Sequence, residues 1–141
     1  MSQLIEFAGN HLLLFGAFVV VTFLIVKTEL ETRFSNVSQL NAVEAVRLMN
    51  DDETIVLDVR ESSEFSGGHI KNAIHIPMSA LKGRLTELEK YKGKHILAYC
   101  RSGSRSGYAC KLLNKAGFEK VHNLAGGVMG WSSANLPLTR K

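Results

Sequence analysis

Residues 95–113 (HILAYCRSGSRSGYACKLL) indicate both the fold class and the position of the candidate chemistry. It opens with an apolar run at 95–99, which has the length and composition of a strand buried on both faces. Small and apolar residues then recur at helical spacing over 104–116, and Gly117 is the predicted C-cap. A strand, a short loop and an amphipathic helix in this order predict one unit of a parallel sheet.

The same alternation continues through the rest of residues 36–141. Asn41 followed by Glu44 is a capping box, which predicts a helix that ends at 50–52. The other predicted elements are strands at 55–59, 73–76 and 120–123, a helix carrying Leu81, Leu85 and Leu88, and a last helix at 128–134. Strands that alternate with helices imply an α/β fold with a parallel sheet flanked by helices on both faces.

Composition narrows the class of protein. A length of 141 residues suits one ordinary domain, and 45% hydrophobic residues with two prolines exclude a disordered or collagen-like chain. Two cysteines cannot form a disulfide framework, and no Cys/His spacing of a structural zinc site is present. The net charge is +4, but lysines and arginines are scattered with few aromatics among them, which argues against a nucleic-acid surface.

The N-terminal part is apolar enough to cross a membrane. Residues 12–26 carry no charge but would span only about 22 Å as a helix, whereas residues 4–26 would span about 34 Å. We therefore predict a transmembrane anchor at 1–27 that enters the membrane through 4–26, a polar linker at 28–35 and a domain at 36–141. A buried core helix would show a polar face, and a signal peptide would show a positive start and a small-residue cleavage site.

The charges beside this run predict its orientation. No lysine or arginine precedes it, and Lys27 and Arg33 follow it. The positive-inside rule then predicts a single-pass protein of the cell (inner) membrane, with its N-terminus outside and its C-terminal domain facing the cytoplasm. A cysteine that must stay reduced also fits the cytoplasm, where thiols are kept reduced. The sequence leaves open whether the anchor localises a reaction or docks a membrane-protein partner.

The loop after the strand at 95–99 has the composition of an anion site built around a cysteine. Cys100 faces the amino end of the next helix, where unpaired N–H groups and the helix dipole favour negative charge. Arg101 and Arg105 add positive charge, and Gly103 lets successive N–H groups converge on one centre. These features favour the thiolate, which is the nucleophilic form of cysteine.

The alternative is that Cys100 is a small buried side chain and that the serines, Gly103 and arginines form a solvated loop. The two interpretations differ in what they require of the sulfur. A reactive thiol must ionise more easily than free cysteine and must be open to solvent, and an inert thiol need do neither.

Several motifs in order resemble the rhodanese (sulfurtransferase) family, in its single-domain, membrane-anchored bacterial form. The loop CRSGSRS at 100–106 resembles its active-site loop. The resemblance covers about 36–137, and it departs from the family at Asn72, where many members have glycine, and at Val128, where many have an aromatic residue. The other matching segments are 57–60 (LDVR), Glu64-Phe65, 68–70 (GHI), Ala73, Ile76-Pro77 and 126–131 (GGVMGW).

The resemblance implies a sulfur transfer that needs no metal and no organic cofactor. Cys100 would take a sulfur from a small anionic donor such as thiosulfate, hold it as a persulfide, and pass it to a thiol or a protein cysteine. Arg101 would bind the donor and Arg105 would brace the loop. N–H groups of the loop residues, which include Ser102, Gly103 and Ser104, would hold the anion. Supporting roles are expected for Asp58 and Arg60, which would hold the loop from the neighbouring strand, and for Ser106, whose hydroxyl would support the thiolate.

Two other functions compete with this one. A phosphatase or arsenate reductase also uses a cysteine-arginine loop, but the phosphatase loop has five residues between cysteine and arginine. That spacing would require arginine at position 106, where this sequence has serine. A membrane-tethered binding module without turnover is the second alternative, although many such domains lack the cysteine.

Other reactive residues have structural interpretations. Cys110 shares a helix face with Ala109 and Leu113, which predicts a core side chain. His69 and His75 have no metal-ligand spacing, and His69 is expected to form a hydrogen bond within a turn. Trp131 is expected to close the core near the C-terminus.

Overall fold

The computed structural model describes residues 1–33, 37–51 and 53–140. The chain divides into two units, Met1–Ser35 and Asn36–Lys141. In chain order the elements are α1 (Ser2–Asn10), α2 (Leu12–Arg33), β1 (Val37–Leu40), α3 (Ala42–Met49), β2 (Thr54–Asp58), α4 (Ser62–Ser66), β3 (Ile74–His75), α5 (Met78–Leu81), a 3-10 helix (Leu85–Tyr91), β4 (His95–Tyr99), α6 (Ser104–Lys115), β5 (Val121–Leu124) and α7 (Gly127–Ser133).

The first unit consists of two helices rather than the single helix predicted over 4–26. They are separated at His11, whose φ of −128° is outside the helical range. Gly9, Asn10 and His11 all favour helix weakly, which explains the break. Within α2, Leu12–Leu30 is apolar enough to cross a membrane, with a mean hydropathy of 2.1.

The segment 28–35, predicted as a linker, is helical as far as Arg33. Lys27, Glu29 and Leu30 favour helix, so the change from apolar to polar composition does not end it. Positions 34 and 35 of that linker lie outside the described residues. The same holds for Asn36 and Lys141, the ends of the predicted domain, and for Asp52 at the predicted end of α3.

The second unit contains the α/β fold that the sequence predicts. Its five strands are all parallel and lie in the order β1-β5-β4-β2-β3. β4 and β2 are adjacent, with Tyr99 in register with Asp58. Because parallel strands end at the same edge of a sheet, the segments that follow β2 and β4 meet there.

Helices cover both faces of this sheet. Along β4, Ile96 and Ala98 belong to one core cluster with residues of α5 and α6, whereas Leu97 and Tyr99 belong to a second cluster with residues of α3 and α7. Trp131 closes the second cluster as predicted, and its indole N–H donates to the Pro137 carbonyl at 3.0 Å. The apolar character of β4 therefore follows from burial on both sides.

Three local features differ from the predictions. β1 and α4 were not predicted, and the helix expected to carry Leu81, Leu85 and Leu88 is two pieces. α5 ends at Leu81, and the 3-10 helix begins at Leu85. Gly83 lies between them, and glycine weakens a helix interior by about 1 kcal/mol. The capping box of Asn41 and Glu44 is confirmed, and Gly117 adopts a positive φ of 96° just after α6.

Candidate active site

Cys100 lies at the carboxyl edge of the sheet, directly after β4. The N–H of Val59, which follows β2, donates to the Tyr99 carbonyl at 3.1 Å and ties the two strand ends together. The next residues along the chain form a loop that enters α6 at Ser104. This is the edge at which open α/β sheets bind ligands.

The loop curls around the Cys100 sulfur. The N–H of Gly103 donates to Sγ at 3.1 Å, and the Ser106 oxygen lies 3.4 Å from Sγ. Gly103 has a φ of 101°, which side chains other than glycine rarely adopt, and this conformation aims its N–H at the sulfur. The structure therefore places Gly103 and Ser106 beside Cys100.

Hydrogen bonds favour ionisation of this thiol. Burial of the Cys100 side chain acts to raise its pKa, but contacts from the Ser106 hydroxyl and from the backbone N–H groups of Ser106, Gly103 and Ser102 outweigh it, and the net pKa is lowered. Close hydrogen bonds are thus the main cause of the lowering. Arg101 and Arg105, which the sequence analysis expects to favour the thiolate as well, are not among these main causes.

The second requirement for a reactive thiol is not met in this structure. Cys100 is completely buried, with 0% of its surface exposed. Its neighbours Arg101 and Ser102 are exposed, so the sulfur lies beneath a surface loop. The expectation of an open thiol is therefore wrong for this conformation, because the N–H groups that favour the thiolate also close over it.

A groove runs beside the loop. It has a volume of about 450 Å³. Arg101 lines it and is exposed, and no hydrogen bond or ion pair joins its side chain to any of the residues that the structure describes. The other lining residues are Arg60, Ser63, Glu64, Gly67, Gly68, Val128, Met129, Ser132 and Leu138. Arg101 therefore offers this groove a positive charge that no described carboxylate offsets.

Arg105 is held by a carboxylate that the sequence analysis gave no role. Its guanidinium forms two hydrogen bonds with Glu64 of α4, at 2.8 and 2.9 Å. The hydrogen bonds between the two side chains, with the attraction of their charges, raise the pKa of Arg105 and lower the pKa of Glu64 to about 2. Arg105 thus ties the start of α6 to α4, while Ser104, the first residue of α6, is exposed.

Asp58 and Arg60 form a buried ion pair on the neighbouring strand. Two of its hydrogen bonds measure 2.7 and 3.0 Å, and Arg60 also donates to the Gly68 carbonyl at 2.8 Å. The Arg60 guanidinium lies over the Tyr99 ring, 5.4 Å from its centre. The pair therefore supports the residue that precedes Cys100, and it makes no hydrogen bond to residues 101–105 in the part of the chain described.

The first turn of α7 closes the site from the other side. The N–H groups of Val128 and Met129 donate to the carbonyls of Cys100 and Arg101 at 2.8 and 3.1 Å. Gly127 makes this approach possible, because a Cβ there would lie 2.6 Å from the Arg101 carbonyl oxygen. The glycines at 126–127 thus shape the loop from a distant part of the chain.

The comparison with protein families decides the identity of this fold. A model of the rhodanese-like domain matches residues 41–134, which contain Cys100, its loop and the residues that hydrogen-bond to that loop. The chain belongs to the rhodanese-like domain family.

Relatives of this rhodanese-like protein differ in how much is known of them. The uncharacterized protein YibN of Escherichia coli K12 is 34% identical over 141 residues, which cover 99% of both chains. A protein of Allochromatium vinosum named sulfurtransferase is 35% identical over 92 residues, or 65% of this chain and 84% of that protein. A crystal structure of a rhodanese-related protein from Thermoplasma volcanium has a TM-score of 0.67 and 30% identity, and covers 74% of this chain and 99% of its own.

The rhodanese-like domain contains one site residue that the sequence analysis missed entirely. Asn123 of β5 is 4% exposed, and its side chain contacts both Ser106 and Gly103. It also bonds Gln39 of β1 at 2.9 Å. An asparagine within a short strand was the available signal, because a buried amide needs partners.

The remaining reactive residues take structural positions. Cys110 is buried, and burial, with a smaller contribution from Cys100, raises its pKa to about 12, so the prediction of a core cysteine is confirmed. His69 stacks on Phe65 and bonds its carbonyl at 3.1 Å, and His75 lies 2.8 Å from the Arg60 carbonyl. Among the described residues, no three His, Cys, Asp or Glu side chains group so as to hold a metal ion.

Proposed function

We propose that this rhodanese-like domain transfers a sulfane sulfur through a persulfide on Cys100. The observation that carries the proposal is the set of N–H groups around the sulfur, among them the Gly103 N–H at 3.1 Å. They favour a thiolate, and after transfer they favour the persulfide anion. The relative named sulfurtransferase supports the same chemistry.

The reaction consists of two displacements. The Cys100 thiolate attacks the outer sulfur of an anionic donor such as thiosulfate, a new S–S bond forms, and sulfite leaves with the electron pair of the broken S–S bond. An acceptor thiolate, from a small thiol or a protein cysteine, then attacks the outer sulfur of the persulfide. That bond returns its electron pair to Cys100, which regenerates the thiolate.

Each loop residue has a separate part in this scheme. Arg101, free at the groove, binds the oxyanion end of the donor. Arg105, paired with Glu64, keeps the start of α6 in place. Because Cys100 is buried, the scheme includes an opening of residues 101–103 before each displacement.

Intact-mass analysis after exposure of the full chain to thiosulfate tests this function. The wild type gains the mass of one sulfur atom, and Cys100→Ser does not. Cys110→Ser is the matched control, since it removes the other thiol, and it keeps the gain. A wild type that gains no sulfur, or a gain that survives Cys100→Ser, contradicts the proposal.

A membrane-tethered binding module is the second candidate, and the buried sulfur favours it. In that case the wild type stays unmodified, and Cys100→Ser binds its partner as the wild type does.

We further propose that α2 anchors the domain on the cytoplasmic side of the cell membrane, which Lys27 and Arg33 favour. Protease added to sealed right-side-out cells then leaves the domain intact, and cleavage without lysis contradicts this orientation.

A further inference from the structure

Asn123 connects the Cys100 site to the neighbouring strand through three hydrogen bonds. Its Oδ1 lies 2.6 Å from the Ser106 hydroxyl oxygen. Its Nδ2 lies 3.0 Å from the Gly103 carbonyl oxygen and 2.9 Å from Oε1 of Gln39. The amide is buried, and each of its hydrogen-bonding groups has a partner.

The Gly103 carbonyl fixes which way this amide points. A carbonyl oxygen only accepts hydrogen bonds, so the atom of Asn123 that faces Gly103 must be the nitrogen. Its oxygen then faces Ser106, and an amide oxygen also only accepts. The Ser106 hydroxyl therefore donates its single hydrogen to Asn123. At 2.6 Å this bond is much shorter than the 3.4 Å contact between Ser106 and the sulfur.

This direction matters for the ionisation of the thiol. The protonated Cys100 donates its S–H to the Ser106 oxygen, which in turn donates to Asn123. Once the sulfur has lost its proton to solvent, the hydroxyl has two choices. It stays on Asn123 and presents a lone pair to the thiolate, or it turns to the sulfur and leaves the buried Asn123 oxygen without a donor.

We propose that Asn123 is a positioning residue that holds the Ser106 hydrogen away from Cys100 and so limits how readily the thiol ionises. The backbone N–H groups of Gly103, Ser102 and Ser106 also lower the Cys100 pKa, and no side-chain acceptor like Asn123 competes for them. These N–H groups donate to the sulfur, whereas the Ser106 hydroxyl donates its hydrogen to Asn123.

The inference rests on the proposed function for its purpose. The intrinsic nucleophilicity of a thiolate falls as its pKa falls, and attack is fastest when the pKa lies near the ambient pH. A thiolate stabilised by every nearby donor would be abundant but sluggish. Because Asn123 binds the Ser106 hydroxyl, that donor does not stabilise the thiolate, and the sulfur stays a strong nucleophile in both displacements.

The test measures the pKa of Cys100 from the pH dependence of iodoacetamide alkylation, with the full chain in detergent and Cys110→Ser throughout. Asn123→Ala frees the Ser106 hydroxyl for the thiolate and lowers the pKa by about one unit. Adding Ser106→Ala abolishes that decrease. Asn123→Asp raises the pKa, because a carboxylate adds negative charge beside the sulfur and binds the hydroxyl more tightly.

These variants separate positioning from general loosening of the site. A merely structural role would move the pKa of Asn123→Ala and Asn123→Asp in the same direction. Asn114→Ala is the control, since its buried Nδ2 has no partner among the described residues, and it leaves the pKa unchanged. If Asn123→Ala does not fold, Ser106→Ala alone decides, because the proposal predicts no rise in the pKa. A rise of about one unit in that variant, or an unchanged pKa in Asn123→Ala, overturns the proposal. Because no sulfur donor is used, the result is independent of the transfer reaction.

Discussion

Arg105 and Glu64 lie 41 residues apart in sequence, and their side chains form two hydrogen bonds of 2.8 and 2.9 Å. This ion pair joins the start of α6, just after the Cys100 loop, to α4, the short helix that follows β2. Both side chains are about one-third exposed, so solvent screens the pair and its contribution to global stability is small. Its main effect is to fix the start of α6, and with it the end of the Cys100 loop, against α4.

Glu64→Gln removes the charge and keeps the shape of the side chain. We expect a decrease of less than about 1 kcal/mol in the free energy of unfolding at pH 7. The pKa of Glu64 is lowered to about 2 from an ordinary 4.5, so the contribution is present above pH 4.5 and is lost as pH falls toward 2. Urea denaturation of the full chain in detergent at several pH values measures this. A difference between wild type and variant that persists unchanged below pH 2 contradicts it.

Gly127→Ala tests the approach of α7 to the loop. The added Cβ would collide with the Cys100 carbonyl oxygen and would lie 2.6 Å from the Arg101 carbonyl oxygen, at a φ of 55°. We expect the free energy of unfolding to fall by more than about 2 kcal/mol. Gly93→Ala is the matched control, because a Cβ there meets nothing within 4 Å, and it should change stability by less than about 0.5 kcal/mol. Equal decreases in unfolding free energy in the two variants would show that the close approach of α7 to the Cys100 loop does not limit the residue at position 127.

Tyr99→Phe tests the buried hydrogen bond of the residue that precedes Cys100. The buried Tyr99 hydroxyl accepts a hydrogen bond from the Ile70 N–H at 3.1 Å. Its removal leaves that N–H without this partner and should cost about 1–3 kcal/mol of unfolding free energy. Tyr108→Phe removes a hydroxyl from a side chain that is 66% exposed and should cost less than about 0.5 kcal/mol. If the two variants are equally stable, the Tyr99 hydrogen bond contributes nothing.

His122 should make the domain sensitive to mild acid. Its Nε2 lies 2.8 Å from Nδ1 of His95, and its Nδ1 contacts the Ser38 hydroxyl. Burial and the nearby His95 lower the pKa of His122 below its ordinary 6.5. The unfolded chain therefore takes up a proton that the folded chain resists, and stability falls as pH drops below 6.5. His122→Gln should flatten the dependence of unfolding free energy on pH between 7 and 5, and an unchanged slope would refute this origin.

Arg101→Ala should weaken binding of the anionic donor. Arg101 is the arginine at the groove without a described carboxylate partner, whereas Arg60 is paired with Asp58. We expect KM for thiosulfate to rise by about tenfold or more, since a charge-assisted hydrogen bond contributes on the order of 1.5–3 kcal/mol, while Arg101→Lys retains part of the affinity. Lys111→Ala, which removes an exposed cation from α6, serves as control. Equal KM values for Arg101→Ala and the control would show that Arg101 does not bind the donor.

The buried strands could be predicted because burial on both faces leaves a continuous apolar signature. β4 and β2 carry that signature, and the edge strand β1 does not. With the sequence VSQL and two exposed central residues, β1 resembles a loop until β5 pairs with it. The helix α4, with the sequence SSEFS, has no buried residue and hence no apolar periodicity to detect.

The site divides in the same way. Cys100, Gly103 and Ser106 lie within one loop and helix start, so local spacing was enough to predict their association. Glu64 and Asn123 arrive from other strands and helices, and only the pairing of the parallel strands brings them to the loop. The burial of the sulfur could not be predicted, because it depends on how tightly the loop closes.

The contacts of Val128 and Met129 with the loop carbonyls also bear on synthesis of the chain. A ribosome makes protein from the N-terminus, so Cys100 emerges well before the residues that complete its surroundings. The nascent polypeptide therefore carries Cys100 in an unshaped loop until α7 has also been synthesised and can fold against it.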